Sequence, residues 1–136
     1  MQRKDAAVFT DQLREAIEEE YKGYHFYKTM ASLTKDPYWL DFIHHAMEDE
    51  KSHYEMFQQL HYMLTGSFVQ SLRKPGPCDS LKSCAKKAVR DSLETAELYK
   101  VMLLRIPIQE AYEPLFLAMH DETEHAIRFS MMYNAL

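Results

Sequence analysis

Three glycines and five prolines in 136 residues leave little to punctuate the chain, which disfavours many short strands and favours a few long helices. Long hydrophobic runs are missing as well. No stretch approaches the roughly 18 apolar residues a membrane span needs, and Met1-Gln2-Arg3-Lys4-Asp5 leads into charged sequence without the apolar segment of a secretory signal. No membrane partner and a cytoplasmic location are therefore expected. Basic charge is in deficit: 16 Lys and Arg stand against 21 Asp and Glu, a net charge of -5, which argues against a nucleic-acid partner, whose phosphates demand a basic face. Cysteine is scarce too. Cys78 and Cys84 lack the spacing of a zinc-ribbon pair, and two loop cysteines in a reducing compartment are expected as free thiols.

What remains is the balance of an ordinary globular chain, 46% hydrophobic and 27% charged, at a length that suits one domain with its own core. One stretch occurs twice. Ala46-Met47-Glu48-Asp49-Glu50-Lys51-Ser52-His53 returns 72 positions later as Ala118-Met119-His120-Asp121-Glu122-Thr123-Glu124-His125. Both copies carry Glu-x-x-His, a spacing that puts a carboxylate and an imidazole on one face of a helix, a turn apart. With 21 acids and 7 histidines, shuffling alone would give roughly one such match, and Asp41-x-x-His44 is taken as that chance match. Chance does not readily supply the shared Ala-Met-x-Asp context. The same offset pairs Ala16-Ile17 with Ala88-Val89, Tyr27 with Tyr99, Met30 with Met102 and Phe57 with Phe129, so the chain reads as two related helical hairpins.

The expected elements follow in order. Residues 1 to 9 form a loose lead-in, Thr10 an N-cap, and Leu13, Ala16, Ile17, Glu20, Tyr24, Tyr27 and Ala31 the inward stripe of a first helix ending near Leu33. Asp36-Pro37 opens a second helix that runs to Thr65 and stops at Gly66, with Glu50 and His53 inside its apolar stripe and His44, His45 and His61 beside it as surface or flank residues. Residues 66 to 79 form a long connection, just able to cross a helix of about 42 Å. A third helix runs from Asp79 or Ser80 to about Leu104. A fourth carries Leu115, Ala118, Glu122, His125, Phe129 and Tyr133, with Pro114 opening or kinking it. The fold class is all-α: a four-helix bundle of two hairpins with a crossover.

Four interior carboxylates and two imidazoles would be costly to bury uncompensated, at several kcal/mol per unpaired ion, and no Lys or Arg falls on the stripes near their centre. Two divalent cations would cancel the charge. A mixed oxygen and nitrogen set suits iron or manganese, with Glu20, Glu50, His53, Glu122 and His125 as ligands and Glu50 and Glu122 as bridges. On the third helix the repeat places Ser92 opposite Glu20, while Asp91 and Glu94 flank it within a turn, and a slight rotation would bring either inward.

On these residues the chain resembles the ferritin-like superfamily, and within it the rubrerythrin-type di-iron domain, from about Thr10 to Leu136. Glu20-x-x-Gly23-x-x-x-Tyr27, Glu50-x-x-His53, Asp91-x-x-Glu94-x-x-x-x-Tyr99 and Glu122-x-x-His125 carry the likeness. It implies that Asp91 stands where the family has a glutamate ligand, that Glu94 is the carboxylate that shifts with redox state, and that Tyr27 and Tyr99 bond the carboxylates. It also implies two iron ions, or manganese or a mixed pair. The expected activity is reduction of peroxide or oxidation of Fe(II). The paired cysteines of a rubredoxin module are missing, so an external electron donor is needed. A homodimer is expected: the 9 Met and 9 Tyr are mostly core but could also cover a helix-face dimer interface. The alternative, from a different class, is a structural or interaction protein whose metal site is vestigial or purely stabilising.

Overall fold

The computed structural model describes residues 3–136, with side chains from Asp5 onward, so Met1 and Gln2 of the expected lead-in lie outside the described residues. Four helices account for most of the chain: α1 (Arg3–Ala31), α2 (Pro37–Thr65), α3 (Leu81–Leu103) and α4 (Tyr112–Ala135), the last preceded by a 3₁₀ turn at Gln109–Ala111. There is no strand among the described residues.

The end signals of α2 act as its sequence suggests. Asp36 accepts a hydrogen bond from the Tyr38 N–H, Pro37 occupies the first turn where no amide hydrogen is needed, and Gly66 closes the helix at φ 80°, a left-handed conformation that suits glycine. Ser80 caps α3 and exchanges bonds with Ser83. Pro114 lies in the first turn of α4 and opens the helix.

The start of α1 departs from expectation. The helix begins at Arg3, and Thr10 is inside it, its hydroxyl donating to the Ala6 carbonyl four residues back. Packing explains this. Phe9 is buried and extends the Leu13, Ala16, Ile17 stripe by one turn, which favours helix through Thr10.

Two apolar clusters fix the topology. One gathers Phe9 and Leu13 from the start of α1, Phe57 and Leu60 from the end of α2, Tyr99 and Met102 from the end of α3, and Leu115 and Ala118 from the start of α4. The other gathers the opposite ends, including Met30, Ile43, Ala85 and Phe129. Helices α1 and α4 therefore run one way, α2 and α3 the other. Consecutive helices that run the same way need a connection along the whole bundle. The chain supplies it: Val69 and Leu72 pack at one end, Cys78 and Leu81 at the other.

The connection corrects two further expectations. His61 is buried, because the chain folds back over the last turns of α2: its Nδ1 donates to the Ser67 carbonyl at 2.6 Å, and Gln58 bonds the Val69 backbone in both directions. Cys78 and Cys84 are joined as a disulfide, not free thiols in a loop. Ser80 starts α3 early enough that Cys84 lies in its first turns, and the turn brings the two Cα atoms to 5.6 Å, within bridging range.

Candidate metal centre

Between the two apolar clusters runs a band of buried polar side chains: Glu20 from α1, Glu50 and His53 from α2, Ser92 and Thr95 from α3, and Glu122 and His125 from α4. The repeat explains their level. Glu50 and Glu122, and His53 and His125, hold equivalent places on antiparallel helices, as do the buried pairs Ala46 and Ala118, Phe57 and Phe129. Asp41 and His44, the chance match, are exposed.

The geometry within the band is close. Glu20, Glu50, His53 and Glu122 each offer a donor atom, and these atoms lie within 4.8 Å of one another. His53 Nδ1 donates to Glu20 Oε1 at 3.2 Å, and the Tyr99 hydroxyl donates to the same oxygen. His125 Nδ1 lies 3.4 Å from Glu50 Oε1 and 3.1 Å from Glu122 Oε2. It hydrogen-bonds neither. Glu20 Oε2, Glu122 Oε2 and His125 Nδ1 are buried with no hydrogen-bond partner. Three bare donors in one interior volume are what a bound cation would satisfy.

The outer edges of both imidazoles are held reciprocally. His53 Nε2 donates to Asp121 at 2.7 Å, and His125 Nε2 donates to Asp49 at 2.8 Å, so each histidine is fixed by the aspartate beside the other helix's glutamate. That arrangement turns both Nδ1 atoms toward the carboxylates and fixes ring orientation, as a carboxylate commonly does for a metal-bound histidine. Asp49 and Asp121 were not singled out from the sequence, although the shared Ala-Met-x-Asp context contained them.

Gly23 has a steric reason. A Cβ there would lie 2.9 Å from Glu50 Oε2 and 3.0 Å from its Cδ, because the carboxylate rests against the α1 backbone. Gly23→Ala is expected to displace Glu50 and weaken metal binding about 10-fold with little change in metal-free melting temperature; isothermal titration with Mn(II) beside a thermal melt checks it.

Third-helix acids sit elsewhere. Asp91 is half-exposed and accepts a salt bridge from Lys87 at 2.7 Å, and Glu94 is exposed. Both line a cleft of about 340 Å³ that runs between α1 and α3 down to Glu50 and Glu122, roofed by Lys74-Pro75-Gly76. The buried band thus holds three carboxylates, not the four expected. The buried face of α3 carries Cys84, Ala85, Ala88, Ser92 and Tyr99, so turning Asp91 inward would unpack that face.

Burial without a cation forces the cluster to take up protons. Burial and the charges of Glu122 and Glu20 push the Glu50 carboxyl well above its ordinary range. Burial alone would lower both histidines, but the Glu20 charge and the Asp121 bond raise His53 to about 10, and the Asp49 bond and the nearby Glu122 charge raise His125 to about 9. Burial would also raise Glu20, yet the facing His53 imidazolium outweighs it and holds that carboxyl below its usual range.

No protein-family model matches the chain, and no curated protein matches it either. Solved structures do. A protein described as ferritin like, diiron-carboxylate, from Bacillus anthracis str. Ames superposes with a TM-score of 0.85 over 98% of this chain and 99% of that one, at 18% identity. A conserved hypothetical protein from Mycobacterium tuberculosis superposes with a TM-score of 0.84 over 97% and 94%, at 14% identity. The fold is that of a ferritin-like four-helix bundle. Its buried glutamate and histidine cluster is compatible with a dinuclear metal site.

Proposed function

We propose that the protein is a non-haem di-iron oxidoreductase of the rubrerythrin type, reducing peroxide or oxidising Fe(II), with manganese or a mixed pair as the alternative metals. The observation that carries this reading is the group of bare buried donors, Glu20 Oε2, Glu122 Oε2 and His125 Nδ1, around Glu50. Their all-oxygen and nitrogen chemistry suits iron or manganese, and the diiron-carboxylate description of the Bacillus anthracis protein is in keeping with it.

Glu20 and His53 would hold one metal, Glu122 and His125 the other, with Glu50 between them, while Asp91 and Glu94, which the resemblance implies as ligands, stand in the cleft wall outside the buried set. When bound, such a pair supplies the two electrons that splitting a peroxide requires. The chain does the rest. Asp49 and Asp121 keep both imidazoles aimed inward, and Tyr99 holds a proton at Glu20 Oε1. The apolar clusters close the bundle above and below, and the cleft between α1 and α3 reaches Glu50 and Glu122 from the side.

Protein loaded anaerobically with Fe(II) is expected to bind two irons per chain and to be oxidised rapidly by one equivalent of hydrogen peroxide, followed by absorbance. A stoichiometry near zero overturns the reading. The second reading, a scaffold with a stabilising site, draws on Ser92, which stands where the repeat would place a fourth carboxylate. It predicts metal that raises the melting temperature without turnover.

A further inference from the structure

The di-metal reading leaves the chemistry of Cys78 and Cys84 unused, and their surroundings differ. Cys84 is wholly buried beside Phe26, Ala88 and Phe129. Cys78 is half-buried and forms part of the wall of an open hollow of about 670 Å³, together with Lys28 and Lys74 and with no carboxylate among the described lining residues. Its sulfur lies 3.9 Å from the Ser83 hydroxyl in the first turn of α3, near the positive end of the helix. A partly exposed sulfur in positive surroundings is the kind that exchanges readily, because such surroundings favour the thiolate.

The hollow also adjoins the metal cleft. Phe26, Lys74, Pro75 and Gly76 line both, so the disulfide and the carboxylate cluster open on two sides of one strap. Arg73 is tied to Glu18 at 2.9 Å at one end of the strap, and Cys78 is tied to Cys84 at the other. Cys84, Ala88 and Ser92 follow one another on the buried face of α3, which sets Cys84 about 12 Å along the helix from the level of the cluster.

We propose that Cys78–Cys84 is a redox-active disulfide that takes two electrons from an external dithiol and passes them to the di-metal centre, a role that rests on the oxidoreductase reading above. Only Cys78 is open to attack. A thiolate of the reductant bonds to its sulfur, the Cys78–Cys84 bond breaks, and Cys84 leaves as a thiolate that takes up a proton. The reductant's second thiol then attacks its own sulfur in the mixed bond, departs as a disulfide and frees Cys78 as a thiol. In the return step the two thiols give up two protons and two electrons as their bond re-forms, electrons that a metal pair held by Glu20, Glu50, His53, Glu122 and His125 would accept. Peroxide takes the two electrons and two protons and becomes two waters. The sum converts one dithiol and one peroxide into one disulfide and two waters.

The test starts with metal-free protein and excess dithiothreitol at neutral pH, with thiols counted by a chromogenic reagent while circular dichroism follows the fold. Two thiols per chain should appear with helix content retained; a disulfide that stays closed in the folded protein overturns the inference. Reduced protein, freed of dithiothreitol, is then given hydrogen peroxide with and without two equivalents of Fe(II). Thiols should vanish at least ~10-fold faster with iron bound, and equal rates overturn the inference. Cys78→Ser/Cys84→Ser should bind the same two irons as the wild type. If the wild type binds none, the oxidoreductase reading fails and takes this inference with it. Iron bound beside a disulfide that dithiothreitol cannot open overturns the inference alone.

Discussion

Glu50→Gln is expected to give a metal-free protein at least as stable as the wild type that has lost most of its metal affinity. Glu50 is buried, carries a carboxyl pushed well above its ordinary range, and shares its surroundings with Glu20 and Glu122. In the absence of metal it must keep a proton that the unfolded chain releases at neutral pH, and an amide of the same shape removes that cost, stabilising the bundle by about 1 kcal/mol. With metal the order reverses. Replacing outer partners of metal ligands typically weakens binding 10- to 100-fold, so the loss of a carboxylate between two metals should reach at least ~100-fold. Thermal melts in chelator, paired with Mn(II) titration, check both halves. A Glu50 that served only packing would give a variant that melts lower and binds no differently.

Metal should raise the melting temperature by an amount that grows with pH. His53 and His125, raised to about 10 and about 9, contribute stability that is fully present below the ordinary histidine value of about 6.5 and is lost as pH climbs through 9 to 10. Glu50 acts in the same direction: its folded carboxyl keeps a proton that the unfolded chain has released, which disfavours the fold once pH exceeds the ordinary carboxylate range. Glu20, held low, matters only in acid. Metal-free protein should therefore melt progressively lower from about pH 6 to pH 10. A cation replaces those protons, so its affinity rises over the same interval. At a metal concentration 100-fold above Kd, each site adds about 2.7 kcal/mol, and two sites raise the melting temperature of a chain this size by roughly 15 to 25 °C. Differential scanning calorimetry at pH 6, 7.5 and 9, with Mn(II) or EDTA, reads this directly. A metal effect that shrinks with pH would contradict the assignment.

The readable part of the fold was the part written locally. Asp36-Pro37 and Gly66 bound α2 because a cap, a ring and a left-handed turn act through adjacent residues. The repeat led to Glu50, His53, Glu122 and His125 because the same burial was required twice. Features set by distant packing were harder to read. Thr10 resembled a cap, yet Phe9 packs into the core and carries the helix past it. The burial of His61 depends on a connection folding back 6 residues later, at Ser67. Which third-helix residue faces inward is a matter of about 100° per position, and packing of Ala85, Ala88 and Tyr99 settled it in favour of Ser92 over Asp91 or Glu94. The reciprocal bonds of Asp49 and Asp121 lay within the repeated motif, but crossing pairs between antiparallel helices cannot be seen in a linear pattern.

The central claim is that this cluster holds two cations, and anomalous scattering from crystals of natively purified protein, collected at the iron and manganese edges, tests it most directly. Two peaks are expected, about 4 Å or less apart, one beside Glu20 and His53 and the other beside Glu122 and His125, with Glu50 reaching both. A cluster without anomalous density, its carboxylates and imidazoles bonded only to each other, would contradict the account and leave a ferritin-like bundle that neutralises its interior with protons.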